Sequence, residues 1–345
     1  MSDQPNVRAT WSRRDIVAAG AAATLVGALP RRARAETPVK NLEKPSLNLG
    51  IASLGSNFLP VYVAAARTWK AQGLDVHLVA FRGDSEVAQA LAGNSIDISL
   101  ASMNGLINMI TAGQSVAAFY AGFDQADFAW LAQPSIKTWA DLKRKKIGVS
   151  TFGSLTDALT RYALTTHGID PERDVDIIQA GAAQAAFQAL ESGTINAAIL
   201  SPPFKWRAAE AGYTVLGTQA HDIAPRWPKN LFMAKTDVIA ANPNTIQAFL
   251  RAHVDAIRFA RADRNAAIAI IVDQLKFTPA DAARAYDSAM DGIDERGNLP
   301  AAAMPTFWKV AVANGDVDKP WPESKFLDRR FIDTFNHWAI GPQRT

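Results

Sequence analysis

The feature that most limits what this chain can fold into is a single long-range repeat. Leu49-Gly50-Ile51-Ala52-Ser53-Leu54-Gly55-Ser56 is echoed almost position for position by Ile147-Gly148-Val149-Ser150-Thr151-Phe152-Gly153-Ser154. Asp75-Val76-His77-Leu78-Val79 parallels Asp174-Val175-Asp176-Ile177-Ile178, and the stretch from Ala90-Leu91 to Ile96-Asp97 parallels that from Ala189-Leu190 to Ile195-Asn196. Both copies read strand, helix, strand, helix, strand. Solenoid repeats recur every ~20–50 residues; this spacing is far longer, so the echo predicts two α/β lobes of one topology. Apolar strands alternating with helices build parallel sheets covered on both faces. Ligands of such sheets sit beyond the carboxyl ends of the strands. The turns 54–58 and 151–156 fall at that end of each copy's first strand, so two facing lobes would enclose a cleft there.

From Asn242 onward the pattern turns helical. Asn242-Pro243, Thr278-Pro279 and Leu299-Pro300 each place proline where a helix can start. Helices are predicted near 244–261, 279–290, 300–313 and 325–338, packed on the first lobe. Two apolar segments, Phe128–Ala132 and Leu231–Lys235, read as extended crossovers that form a hinge. Lobe 1 is then 45–130 plus 236–345, and lobe 2 is 135–230.

The chain of 345 residues carries a formal charge of +3, but the basic excess sits at its start. The first 35 residues hold six arginines against Asp3 and Asp15, which leaves 30 basic and 31 acidic residues in the rest. A nucleic-acid partner therefore has no electrostatic support. Arg13-Arg14 precedes an apolar stretch from Ile16 to Leu29, and Ala33-Arg34-Ala35 follows. A basic start, a short apolar centre and a small-residue end make a cleavable export signal. The arginine pair resembles the twin-arginine type, with Asp15-Ile16-Val17-Ala18 departing from the usual continuation. The 14-residue apolar run is short of the ~20 a spanning helix needs. Residues 1–35 are thus expected to be removed and the remainder to reside in the periplasm. There is no cysteine, which excludes disulfides, zinc–thiolate sites and a cysteine nucleophile.

Pro134-Ser135-Ile136-Lys137-Thr138-Trp139-Ala140-Asp141-Leu142-Lys143, followed by Lys145-Lys146-Ile147-Gly148-Val149, resembles a segment typical of the nitrate/sulfonate/taurine family of ABC-importer solute-binding proteins. Gly93-Asn94-Ser95-Ile96-Asp97-Ile98 looks like that family's run into the third strand, and Ala197-Ala198-Ile199-Leu200-Ser201-Pro202 like its second-lobe equivalent. The resemblance implies the type II periplasmic-binding fold, hinge closure on a small molecule, and an inner-membrane permease with its ATPase as partner. It further implies a monomer without cofactor, metal or catalytic residues. Contacts carried over from the family fall on Ser56, Asn57, Phe58, Ser102, Asn104, Thr151, Phe152, Ser154, Ser201 and Pro202. Ser201 stands where many sulfonate-binding relatives have an acid, and Arg144 where the family motif has glycine.

Gly55-Ser56 and Gly153-Ser154 each precede a predicted helix, whose free N–H groups and partial positive charge favour an oxyanion. Simple N-capping by the same serines explains the pattern equally well. Arg82, after the strand ending Val79-Ala80-Phe81, could clamp a carboxylate or sulfonate, or merely pair with Asp84 or Glu86. Phe58, Phe152, Phe204 and Trp206 are candidate walls for an organic ligand, with the lobe core as the alternative for the last two. Ser154 stands where a phosphate-binding loop needs lysine, and the five histidines show no metal spacing. A receptor for a small organic anion is the first expectation. A pyrimidine-like or cationic solute, a sensory receptor, and an enzyme on the same fold remain open.

Overall fold

The computed structural model describes residues 39–339, so the leader at 1–35 lies outside the described residues. β1 (Ser46–Ile51), α1 (Leu59–Val63), β2 (Asp75–Ala80), α2 (Asp84–Ala92), β3 (Ile98–Ala101), α3 (Met103–Thr111) and β4 (Val116–Gln125) come first. β5 (Ala129–Ala132), β6 (Lys146–Val149), α4 (Leu155–Thr166), β7 (Asp176–Gln179), α5 (Ala183–Glu191) and β8 (Ala197–Leu200) repeat the alternation. α6 (Phe204–Glu210), β9 (Thr214–Thr218) and α7 (Gln219–Asp222) lead to β10 (Arg226–Lys235). The helices α8 (Thr236–Ala241), α9 (Pro243–Ala262), α10 (Arg264–Leu275), α11 (Pro279–Asp291) and α12 (Met304–Ala313) follow.

The strands form two five-stranded sheets, ordered β2-β1-β3-β10-β4 and β7-β6-β8-β5-β9. The echo holds to the level of register. Leu49 pairs with Leu78 and Ile98 in the first sheet, and Ile147 pairs with Ile177 and Ala197 in the second. It also accounts for the two mid-strand glycines. A Cβ on Gly50 would lie 2.5 Å from Ile96 Cδ1, and one on Gly148 would lie 2.6 Å from Ile195 Cδ1. In both copies the isoleucine two residues ahead of the third strand lies over this glycine, so a larger residue there would have to displace its side chain.

Each sheet takes one antiparallel strand from the far side of a chain crossing. β10 pairs with β3 through Phe232–Leu100, and β5 pairs with β8 through Trp130–Ile199. The two segments expected to be extended crossovers are instead buried strands within the sheets. The chain passes between the sheets just ahead of each, at 126–128 and 219–225. Their unbroken apolar runs are what strands buried on both faces require, and their partners are too distant in sequence to be inferred.

Proline opens α9 and α11 as expected, and Thr278 caps α11 by accepting from Asp281 N–H at 3.1 Å. α9 packs against α1 in the core of the first sheet, where Phe249 meets Phe232 edge-on at 5.0 Å. α12 departs from the expectation that the late helices serve the first lobe alone. It shares a core with α4, and Asn314 Nδ2 donates to the Ala158 carbonyl at 2.9 Å.

Candidate functional site

The carboxyl ends of β1, β2 and β3 face those of β6, β7 and β8 across a narrow cleft whose interior space is about 60 Å³. Asn57 and Phe58 line it after β1, Asp84 after β2, Ser102 after β3, Ser150 and Leu155 after β6, and Ser201 after β8. Phe128 enters from the first chain crossing, and Lys229 and Asn230 from β10.

The chemistry is set by how the helix starts around this cleft are filled. Ser102 caps α3, its Oγ accepting from Gly105 N–H at 3.1 Å. Ser154 caps α4, accepting from Asp157 N–H at 3.4 Å, and its hydroxyl also contacts Ser150 Oγ and Thr156 Oγ1, each at 2.9 Å. Asp84, only 5% exposed, closes both starts at once. Its Oδ1 accepts from Ser102 N–H, and its Oδ2 accepts from Ser102 Oγ and from Leu155 N–H, all at 2.9 Å. A carboxylate at two helix N-termini is electrostatically well placed. Three further N–H groups of the turn are engaged too. Phe152 N–H donates to Gln179 Oε1 at 3.1 Å, Gly153 N–H to Asp157 Oδ2 at 2.8 Å, and Ser154 N–H to the Thr151 carbonyl at 3.2 Å. The donors of residues 152–155, in the turn expected to receive an anion at Ser154, are thus engaged within the protein, and Ser154 acts as a cap.

The other expected contacts divide. Asn57, Phe58, Ser102 and Ser201 line the cleft; Ser56, Asn104, Phe152 and Pro202 do not. Ser56, Asn104 and Pro202 are buried, and Asn104 leaves both amide atoms without a partner. Phe152 is 48% exposed, and its carbonyl accepts from Ser85 Oγ at 2.6 Å. Thr151 borders a neighbouring recess together with Arg82. Arg82 is exposed and bound to Glu86, with Nε 2.7 Å from Oε1. That i,i+4 contact keeps the guanidinium out of the main cleft and raises its pKa further. Of the proposed aromatic walls only Phe58 serves. Phe204 packs with Phe187 and Phe277, and Trp206 lies under Arg284 at 4.1 Å.

Three features of the cleft escaped the sequence reading. The Lys229 ammonium is bound to the Asp127 carboxylate, each side chain 5% exposed, and sits 4.1 Å from the centre of the Phe128 ring. Beside them burial lowers the pKa of Lys205, with Asp127 opposing the shift. Asn230 is buried, and its Nδ2 finds no hydrogen-bond partner among the described residues. Finally, Gly181, Ala182 and Ala183 line the cleft at the start of α5, a helix with no side-chain cap and no acid in its first turn. The run Gln179-Ala180-Gly181-Ala182-Ala183 is a small-residue turn of the same kind as the two that were singled out.

Comparison with known proteins agrees with this architecture. A protein of known structure from Bordetella bronchiseptica RB50 superposes with a TM-score of 0.74 at 25% identity, covering 86% of this chain and 99% of that one. The alkanesulfonate-binding protein SsuA from Xanthomonas axonopodis pv. citri, solved bound to MOPS, gives 0.68 at 18% identity over 84% and 100% of the two chains. The two-sheet arrangement is therefore the periplasmic-binding-protein fold. The binding protein YtlA of Bacillus subtilis (strain 168) is 26% identical over 200 residues, which span 56% of this chain and 60% of that relative's own length. Residues 40–273 match the model of the NMT1-like family, and the chain belongs to that family.

Proposed function

We propose that this protein is the solute-receiving component of an ABC-type importer, exported to the periplasm, and that it binds a small organic anion in the cleft between the two sheets. The observation that carries this reading is the cleft itself. Strand ends from both sheets line it, and the chain crosses between the sheets only twice among the described residues. Such an arrangement can open and close about its two connections. Hydroxyls of Ser53, Ser102, Ser150 and Ser201 with the rings of Phe58 and Phe128 suit an organic molecule bearing polar groups. Lys229, held by Asp127, lines the cleft as a cation, and the twin-arginine leader supports export. A second reading, a cationic or N–H-rich solute, is favoured by the Asp84 carboxylate in the same lining.

Native mass spectrometry of the full chain, purified from its own host and then unfolded, should release one small anion. Adding that solute back should reduce the radius of gyration in small-angle scattering and raise the melting temperature, because it binds only the folded form. Release of a cation would favour the second reading. An unchanged radius and melting temperature at saturating solute would remove the receptor assignment.

A further inference from the structure

We infer that the ligand's anionic group, a carboxylate or sulfonate, is seated on the N-terminus of α5, with Asn230 Nδ2 as a side-chain donor. This placement rests on the receptor reading and says where the ligand's charge goes. The first N–H groups of a helix have no acceptor within it. At α3 Ser102 accepts from Gly105 N–H, and at α4 Asp84 and Ser154 accept from Leu155 and Asp157 N–H. At α5 no side chain meets them, because Ala182 and Ala183 stand at the cap and the first helical position. Gly181, at φ +80°, turns the chain from β7 into the helix, and the two alanines put no bulk in front of the N–H groups. Gly181, Ala182 and Ala183 border the same cleft as Asn230, so the open helix start and the residue with the unpartnered buried amide line one volume.

The charges sort the ligand's orientation. Asp84 places a carboxylate at the α3 and α4 starts and so disfavours a second anion there. Lys229 carries positive charge into the cleft lining, although Asp127 already pairs with it. An oxyanion at α5 would therefore meet helix N–H groups and an amide donor, whereas the donors at the α3 and α4 starts are already taken by the Asp84 carboxylate. The chemical class is an organic monoanion whose carbon skeleton is small enough to share the cleft with Phe58 and Phe128.

Three single variants test the seat, with 1-propanesulfonate, butyrate, MOPS and butylammonium as millimolar probes. Ala182→Asp adds the missing cap in a residue whose backbone is already extended, with φ −63° and ψ 166°. The new carboxylate should raise the melting temperature of the ligand-free protein, as N-caps do, and should weaken anion binding more than a hundredfold. Ala183→Pro deletes one N–H at the helix position that tolerates proline, and Asn230→Ala deletes the amide. Each should cost about ten- to a hundredfold in anion affinity, the worth of one hydrogen bond to a charged group. Undiminished anion binding in Ala182→Asp and Ala183→Pro would overturn the seat while leaving an anion receptor. A wild-type protein that responds only to butylammonium, or to none of the anions, would overturn it as well. The receptor reading is judged separately, by the solute released from native protein and by closure on adding it back.

Discussion

α2 and α5 are the same helix in two copies of one motif, and they begin in opposite ways. Both are nine residues long, both follow the second strand of their copy, and the echo places Ala183 where the first copy has Asp84. The first copy carries Asp84 and Glu86 in its opening turn, and Asp84 is turned outward to close the starts of α3 and α4. The second copy carries Ala183 and Ala185 there and leaves its start open to the cleft. The backbone is shared, while the side chain at one position decides whether a helix start supplies a charge or awaits one. Duplication gives a cleft two equivalent faces, and asymmetry of this kind lets it distinguish the two ends of a ligand.

The largest expected effect comes from making the copies alike. Asp84→Ala converts the position to its echo residue and leaves Ser102 N–H and Leu155 N–H buried without an acceptor. At about 1–3 kcal/mol for each unsatisfied group, the loss of stability should be about 3 kcal/mol in chemical denaturation. The vacated position is then a pair of helix starts facing one space, which is an anion site. Millimolar sulfate or acetate should recover part of the lost stability in this variant and have little effect on wild type. A loss well below 1 kcal/mol, or no anion rescue, would mean that water replaces the carboxylate without difficulty.

A smaller effect separates the cap at α4 from the open start at α5. Ser154→Ala removes the hydroxyl that accepts from Asp157 N–H, and a lost N-cap costs about 1 kcal/mol. Affinity for the solute should stay within about twofold, because no turn donor from 152 to 155 is released by the change. Calorimetric titration alongside thermal unfolding checks both halves. A tenfold loss of affinity with unchanged stability would return the anion contact to this turn and undo the contrast with α5.

What the sequence made legible was the local part of each copy. The alternation of strands and helices and the echo between the copies follow from residues within one strand–helix–strand stretch, whereas the registers and the close approach at Gly50 and Gly148 appear only in the folded chain. The proline-started helices α9 and α11 were legible for the same reason. α10 was not, because Ala266, Ile268, Ile270 and Val272 scatter its apolar positions over several faces instead of one stripe. The antiparallel strands β5 and β10 carried apolar runs that named no partner. The site follows the same rule. Small-residue turns at strand ends pointed to the cleft, but which donors were already filled depended on residues far apart. Asp84 reaches Leu155 across 71 positions, and Lys229 reaches Asp127 across 102. Neither pairing leaves a mark in the local pattern, so the sequence draws attention to the turns with serines and passes over the turn with alanines.

The smallest effect sharpens the comparison with a carboxylate that has no helix start to hold. Asp316 follows α12 where that helix shares a core with α4. Burial pushes its pKa up from 3.8 to about 6, the nearby Asp157 adds to the rise, and Arg161 opposes it. Arg161 is already engaged, its Nε 2.8 Å from Asp157 Oδ1 and its Nη1 against Glu172. The folded pKa lies above the unfolded one, so the stability this group contributes is fully present below pH 3.8 and is lost as the pH rises through about 6. Asp316→Asn keeps the shape and removes the ionisation. It should leave stability unchanged near pH 3.5 and raise it at pH 7.5. The gain should be below about 1 kcal/mol, because the group is only half-buried and solvent screens much of the cost. Urea denaturation across this pH range gives the result directly. A variant that is less stable than wild type at pH 7.5 would mean that Asp316, like Asp84, accepts a structural hydrogen bond in solution, and the distinction between the two carboxylates beside α4 would fall.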